Sequence, residues 1–96
     1  MSNAIYRVLV IDDNIDNRKQ LENHLKTKGH LVQVAGDGQE GLDMLYAHGF
    51  DLILTGINLP KLNGFELLEQ MNNHPDLKNL PVIIISAVSD MQSVTR

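Results

Sequence analysis

The residues that could do chemistry in this chain stand directly after two short apolar stretches. Asp12 and Asp13 follow the apolar run 7–11, and Gly56 and Asn58 follow the run 52–54. Adjacent carboxylates repel one another, so a bound cation is a natural way of keeping both ionised. Hard oxygen ligands of this kind, together with a backbone carbonyl, suit Mg²⁺. Capping of the following helix explains the two acids equally well from spacing alone.

These residues share one place in the fold only if the apolar runs are parallel strands. The runs that read as strands are Arg7–Ile11, Leu31–Ala35, 52–54 and Val82–Ile85. Helical patterns follow at 14–28, from Asp37 to Gly49, at 65–73, and from Ser89 to the end of the sequence. Strands that alternate with helices predict a parallel sheet with right-handed crossovers and helices on both faces. The carboxyl ends of such strands lie along one edge of the sheet, where binding residues usually gather.

Local signals give more detail about these elements. Asp13 or Asn14 can cap the first helix, and Asp37 with Glu40 predicts a capping box at the start of the second. Gln33 suggests that its strand lies near a sheet edge. The side chains that we expect to face the core from the second and third helices are Leu42, Leu45, Tyr46, Phe65, Leu68 and Met71.

Composition narrows the class of protein. The 96 residues suffice for a single domain, 1–96, and the absence of cysteine excludes disulfides and thiolate metal sites. A net charge of −4 with scattered lysines and arginines argues against nucleic acid as a direct partner. No apolar run approaches the roughly 18 residues of a membrane span. We therefore expect a cytoplasmic protein without a membrane segment.

The stretch 51–64 resembles the phosphorylation loop of response-regulator receiver domains, whose pattern runs Asp-Leu-x-Leu-x-Asp-x-x-Met-Pro-x-x-x-Gly. Two further signals fit the same family, namely Asp12-Asp13 after the first strand and Ser86-Ala87 after the fourth. The resemblance covers essentially the whole chain. It implies an α/β fold with a flavodoxin-like (CheY-like) doubly wound parallel sheet of strand order 2-1-3-4, in which the family's fifth strand and fifth helix are missing.

The resemblance also implies roles for individual residues. Asp13 would bind Mg²⁺ with help from Asp12 and the main-chain carbonyl of Asn58. The hydroxyl of Ser86 would turn inward to contact a phosphoryl group. Gly56, however, stands where the family carries its phosphate-accepting aspartate.

Glycine at position 56 changes what the site can do. It offers no carboxylate nucleophile, so we expect no acyl phosphate by the family's route. Thr55 is the nearest hydroxyl, but strand alternation points it to the opposite face. Loss of a third carboxylate should leave Mg²⁺ binding weak or lost. A backbone explanation for Gly56 is a strand end that needs a positive φ.

The sequence therefore predicts a non-enzymatic receiver module of a two-component phosphorelay, degenerate at its acceptor, that acts through protein–protein contacts. A histidine kinase or phosphotransfer protein is the expected docking partner. The alternatives are a flavodoxin-like small-ligand or enzymatic domain with its ligand at the Gly56 loop, and a structural domain of a longer regulator. Because the chain stops at Arg96, we expect Val82–Ile85 to be a sheet edge. That edge suggests a fragment, or a homodimer that exchanges elements.

Overall fold

The computed structural model of the chain describes residues 4–85, which form four strands and three helices. In chain order these are β1 (Arg7–Ile11), α1 (Ile15–Thr27), β2 (Leu31–Ala35), α2 (Gly38–Ala47), β3 (Leu52–Gly56), α3 (Gly64–Asn72) and β4 (Val82–Ile85). Ser86 and the helix predicted from Ser89 lie outside the described residues. Within residues 4–85, the helices are too short or too polar to cross a lipid bilayer.

The four strands form one parallel sheet in the order β2-β1-β3-β4. The predicted strand order and flavodoxin-like fold are therefore confirmed. The last residue of β1, Ile11, lies opposite Ala35 on one side and Thr55 on the other. β2 is an edge strand, as Gln33 suggested, and β3 continues to Gly56, two residues further than its apolar run. This register brings the carboxyl ends of β1 and β3 side by side.

The main core lies between the sheet and the helices α2 and α3. Its buried members are Leu9, Ile11, Ala35, Leu42, Leu45, Ile53, Leu59, Leu67, Met71 and Leu77. Burying one such side chain contributes about 1.5–3 kcal/mol, so this layer supplies most of the apolar stabilisation. The contact between α2 and β1 is close, because a Cβ on Gly41 would collide with the Cδ1 atom of Ile11.

The opposite face of the sheet is covered only in part by residues 4–85. α1 packs on β2 and β1, and none of its own residues is fully buried. Val10, Leu54 and Ile83 are successive cross-strand neighbours on this face. Val10 is buried and Leu54 half-buried, whereas Ile83 on β4 is 51% exposed. Among residues 4–85, no helix covers the β3–β4 half of this face, which we call the open half.

Two predictions about the helix faces are wrong. Phe65 is 63% exposed, and Leu67 takes its place in the core because the buried stripe of α3 runs Gly64, Leu67, Met71. The spacing of apolar residues alone does not distinguish the predicted stripe, which contains Phe65, from the observed one. The observed stripe begins with Gly64, which has no apolar side chain. Tyr46 is also exposed, and its ring lies against His74 with the ring centroids 5.3 Å apart.

Candidate functional site

The predicted site residues that the structure describes lie at the carboxyl ends of two adjacent strands. Asp12 and Asp13 follow β1, while Gly56 ends β3 and Asn58 lies two residues beyond it. A Cβ placed on Gly56 would be 3.8 Å from the carbonyl oxygen of Ile11, so the ends of β1 and β3 are in contact. We call this edge of the sheet the acceptor edge.

The two acids have different surroundings. Asp12 is half-buried, and its Oδ1 accepts a hydrogen bond of 2.9 Å from the backbone N–H of Asn14. Its carbonyl oxygen accepts one of 3.0 Å from Nη1 of Arg18. Asp13 is exposed, and its carboxylate has no hydrogen-bond or ion-pair partner within residues 4–85. Asp13 is thus free to take an external ligand.

Capping does not account for Asp13. The N-cap of α1 is Asn14, whose side chain accepts a 3.0 Å hydrogen bond from the N–H of Asn17. Asp12 supports this turn from outside the helix, and Asp13 takes no part in it. The helix-capping explanation therefore does not cover Asp13, whose exposed carboxylate is also ordinary for a solvated acid.

Gly56 is not required by the backbone. Among the described glycines, only Gly29 has a positive φ, so the expectation that Gly56 needs one is wrong. The reason is that β3 runs regularly through position 56, which pairs with Ile85 of β4. A Cβ there would lie 3.4 Å from Cδ2 of Leu59, an ordinary van der Waals contact. The fold can therefore hold a side chain at position 56, and glycine leaves that position without a functional group.

Thr55 does not replace the missing nucleophile. Its side chain is fully buried, and its hydroxyl donates a 3.1 Å hydrogen bond to the carbonyl oxygen of Gly56. A hydroxyl that is buried and already donating cannot meet a phosphate donor from solvent. Position 56 and its neighbour together offer no group for phosphoryl transfer.

The loop 57–63, which carries Asn58, is fixed against the end of β3. The N–H of Gly64 donates a 2.8 Å hydrogen bond to the carbonyl oxygen of Ile57. A Cβ on Gly64 would approach the carbonyl oxygen of Gly56 to 2.5 Å, closer than real side chains come. Glycine at position 64 is therefore a steric requirement of the loop.

A second glycine fixes the same loop against α2. A Cβ on Gly38 would collide with the carbonyl oxygen of Leu62. Neither the contact of Gly38 nor that of Gly64 was predicted from the sequence. A signal for one of them was present, because glycine is an unusual choice for the first turn of a helix.

The start of α3 carries a full capping box that the sequence analysis missed. Oδ1 of Asn63 accepts from the N–H of Glu66, and Oε1 of Glu66 accepts from the N–H of Asn63, both at 2.9 Å. The box predicted at α2 is only half formed. Asp37 caps the N–H of Glu40 at 2.7 Å, but the carboxylate of Glu40 accepts from the N–H of Gly36.

Lys61 in the same loop has a strained backbone. Its φ of 69° is the only positive value for a non-glycine residue within residues 4–85. Its Nζ lies 3.7 Å from Oδ2 of Asp37, and its side chain is 71% exposed. A left-handed conformation costs about 1–2 kcal/mol, whereas an exposed ion pair contributes about 0–1 kcal/mol. The ion pair therefore does not offset the strain.

The acceptor edge has the right donor atoms for Mg²⁺ but few of them. Carboxylates of Asp12 and Asp13 and the carbonyl of Asn58 are the hard oxygen ligands that this ion prefers. Within residues 4–85, no group of three or more Asp, Glu, His or Cys side chains is arranged to hold a metal. A carboxylate at position 56 would have been the third acid.

The sequence matches the profile of the response regulator receiver domain over residues 8–96. Chemotaxis protein CheY-3 of Vibrio cholerae is 32% identical over 93 residues, which are 96% of this chain and 72% of that protein. A gliding motility regulatory protein of Myxococcus xanthus is 36% identical over 90 residues, which cover 94% of this chain and 12% of its own length. The chain spans 12% to 37% of the length of the first curated relatives that it matches.

Solved structures agree with this match. The chemotaxis response regulator CheY4 of Vibrio cholerae superposes with a TM-score of 0.82 at 27% identity, covering 93% of this chain and 77% of that one. The N-terminal domain of an uncharacterized Wolinella succinogenes protein superposes with a TM-score of 0.78 at 34% identity, covering 96% and 72%. We conclude from the sheet order, the acceptor edge and these matches that the chain belongs to the response regulator receiver domain family.

Proposed function

We propose that this receiver domain of two-component signalling does not accept phosphate and acts through protein–protein contacts. The observation that carries the proposal is Gly56, which stands at the acceptor position in a regular strand with room for a side chain. Phosphoryl transfer to a receiver needs a carboxylate in line with the donor phosphate. With Thr55 buried, the described residues at this position offer no substitute.

Mg²⁺ binding follows the same reasoning. Receiver domains generally bind Mg²⁺ at the acceptor site. Here Asp12, Asp13 and the Asn58 carbonyl would hold the ion, and when bound it would neutralise negative charge at the edge. Because one carboxylate is missing, we propose that the affinity is weak or that binding is lost. The same exchange removes repulsion of about 3 kcal/mol per pair for charges about 5 Å apart at an effective dielectric near 20, before solvent screening.

A histidine kinase or phosphotransfer protein is the proposed partner, docking through α1 and the loops of the acceptor edge. Receiver domains typically interact with such proteins. Ile15 supports this surface, because it is exposed in the first turn of α1, two residues after Asp13. A single exposed apolar side chain is ordinary on a protein surface, so the habit of the family, and not Ile15 alone, carries this proposal. The proposal places the protein in the cytoplasm and assigns it no enzymatic reaction or direct contact with nucleic acid.

A second copy of the chain is a further proposed partner. The outer edge of β4 has no strand partner among the described residues, and Ile83 is exposed on the open half of the sheet face. Unpaired apolar edge strands favour pairing with another chain or exchange of elements. Light scattering over a range of concentrations tests this surface: Ile83→Lys should shift any dimer to monomer, while Phe65→Lys, on an exposed site of α3, should not.

The acceptor chemistry is tested by incubating the chain with Mg²⁺ and acetyl phosphate, or with a phosphorylated histidine kinase. We expect no acid-resistant, hydroxylamine-sensitive adduct. The Gly56→Asp variant provides the matched comparison, because it restores the carboxylate at a position that can hold it. An acyl phosphate on the unmodified chain would contradict the proposal directly.

A further inference from the structure

A cleft of about 470 Å³ lies at the edge of the sheet opposite the acceptor edge. Its lining includes Arg7, Lys26, His30, Leu31, His48 and Phe50. These residues come from the start of β1, the end of α1, the start of β2 and the segment between α2 and β3. We call it the far cleft. Its volume falls within the range of about 300–1,000 Å³ that is usual for small-molecule sites.

The charged side chains that line the far cleft are all basic. Arg7 and Lys26 carry full charges, and no aspartate or glutamate is among the lining residues. Lys26 already pairs with Glu22 at 2.8 Å. The guanidinium of Arg7 has no hydrogen-bond or ion-pair partner within residues 4–85. An arginine beside a cleft whose guanidinium has no partner among the described residues favours a carboxylate or phosphate group.

His30 provides a fixed polar wall. Its Nδ1 accepts a 3.1 Å hydrogen bond from the backbone N–H of Tyr6, and the two rings lie with centroids 5.4 Å apart. A neutral imidazole in this arrangement carries its proton on Nε2 and so presents a donor. Both contacts are with Tyr6 and help to fix the position of the ring, which reduces the entropy that a bound ligand would have to remove.

Exposed apolar side chains gather at the same edge. Of the seven large apolar side chains that are exposed in residues 4–85, three are Ile5, Tyr6 and Leu31. The N–H of Leu31 donates a 3.0 Å hydrogen bond to the carbonyl oxygen of Tyr6, which keeps these two residues adjacent. Basic groups next to exposed apolar surface fit a ligand that is acidic at one end and apolar at the other.

Helix dipoles explain part of this charge but not all of it. α1 and α2 both end at this edge, and a helix end carries about half a negative charge that basic residues commonly complement. Lys26 lies in the last turn of α1 and fits that explanation. Arg7 lies on a strand, and its N–H already has a partner in the carboxylate of Asp51 at 2.8 Å. The helix-dipole explanation therefore does not reach its guanidinium, which has no partner within residues 4–85 and is the group that we assign to an external anion.

We propose that the far cleft binds a small organic acid, with a carboxylate or phosphate head held at Arg7 and an apolar ring or acyl body against Leu31. The head group would meet the guanidinium in a bidentate arrangement. This site is separate from the acceptor edge, and its occupancy does not depend on whether Gly56 blocks phosphorylation.

The test is titration of the unmodified chain with 2-naphthoate and with its neutral analogue 2-naphthylmethanol, followed by amide NMR. We expect 2-naphthoate to shift the amides of 29–33 and 48–50 and to bind about tenfold or more tightly than the alcohol, since a hydrogen bond to a charged group is worth at least that ratio. Arg7→Gln should remove this advantage. Lys19→Gln, which removes an exposed charge of α1 outside the cleft, should preserve it.

Three results would overturn the proposal. They are equal affinity for the acid and the alcohol, shifts confined to 57–64 at the acceptor edge, and equal loss of affinity in the two variants. Binding to phosphatidylglycerol vesicles without any response to free 2-naphthoate would reassign the cleft to a membrane surface and overturn it as well. The comparison of acid with alcohol needs no variant, so it decides the question even if Arg7→Gln fails to fold.

Discussion

Replacement of Gly56 by aspartate tests the account of the acceptor edge most directly. The structure has room for the change, because a Cβ would meet Leu59 at 3.4 Å and Ile11 at 3.8 Å. The backbone there is regular strand, so no positive φ stands against a side chain. What the change adds is therefore mainly a negative charge next to Asp12 and Asp13.

The size of the effect follows from Coulomb's law. One new pair of carboxylates about 5 Å apart repels by about 3 kcal/mol at an effective dielectric near 20. Asp13 is exposed, so solvent screens its repulsion of the new carboxylate. The half-buried Asp12 therefore supplies most of the repulsion. We expect Gly56→Asp to lower the free energy of unfolding by about 1–3 kcal/mol in Mg²⁺-free, low-salt buffer. Millimolar Mg²⁺ should recover most of that loss, because the introduced carboxylate is also a third acidic ligand.

The assay is urea denaturation of three chains with and without Mg²⁺. Gly56→Asn is the matched control, since it has nearly the same shape as aspartate without the charge. The difference between the two variants isolates the electrostatic part, and only the aspartate variant should respond to Mg²⁺. If both variants were equally stable without Mg²⁺ and neither responded to the ion, position 56 would not share a site with the acids.

Three further changes test other parts of the structure. Lys61→Gly should raise the free energy of unfolding, measured by urea denaturation, by about 1 kcal/mol, because it relieves a positive φ and loses only an exposed ion pair. A lower free energy of unfolding would contradict the inference that the backbone of Lys61 is strained. Gly64→Ala should destabilise by more than about 2 kcal/mol because its Cβ would meet a backbone carbonyl, whereas Gly49→Ala, with nothing within 4 Å, should be nearly neutral by thermal melting. Leu67→Ala should lower the free energy of unfolding by about 2–5 kcal/mol and Phe65→Ala by far less; similar losses would contradict the assignment of the buried face of α3.

Much of the fold could be predicted because its signals are local. The run at β1 is continuous and rich in branched side chains, as strands covered on both faces are, and alternation with helices predicts parallel pairing. The positions of Asp12 and Gly56 at one edge follow from that topology. The link from this edge to receiver domains came from the matching loop pattern, since spacing alone left helix capping equally open.

The features that could not be predicted depend on tertiary contacts. Leu67 is buried and Phe65 is exposed because Gly64 packs on the end of β3. The spacing of apolar residues does not reveal that contact. Gly38 is required by the carbonyl of Leu62, which is distant in sequence. The expectation of a positive φ at Gly56 failed for a different reason. A glycine at a strand end suggests a positive φ, but β3 continues through position 56, where Gly56 pairs with Ile85. That pairing is a tertiary contact and leaves no trace in the local sequence.

The two glycine contacts at Gly38 and Gly64 give the loop 57–63 a mechanical property. The carbonyl of Leu62 occupies the space of a Cβ on Gly38, and the carbonyl of Gly56 occupies the space of a Cβ on Gly64. The loop therefore cannot move closer to α2 or to the end of β3. A protein that presses on the loop would therefore also press on both elements, because neither contact can close further. An inward displacement of the loop would therefore be passed to α2, whatever the state of the acceptor edge.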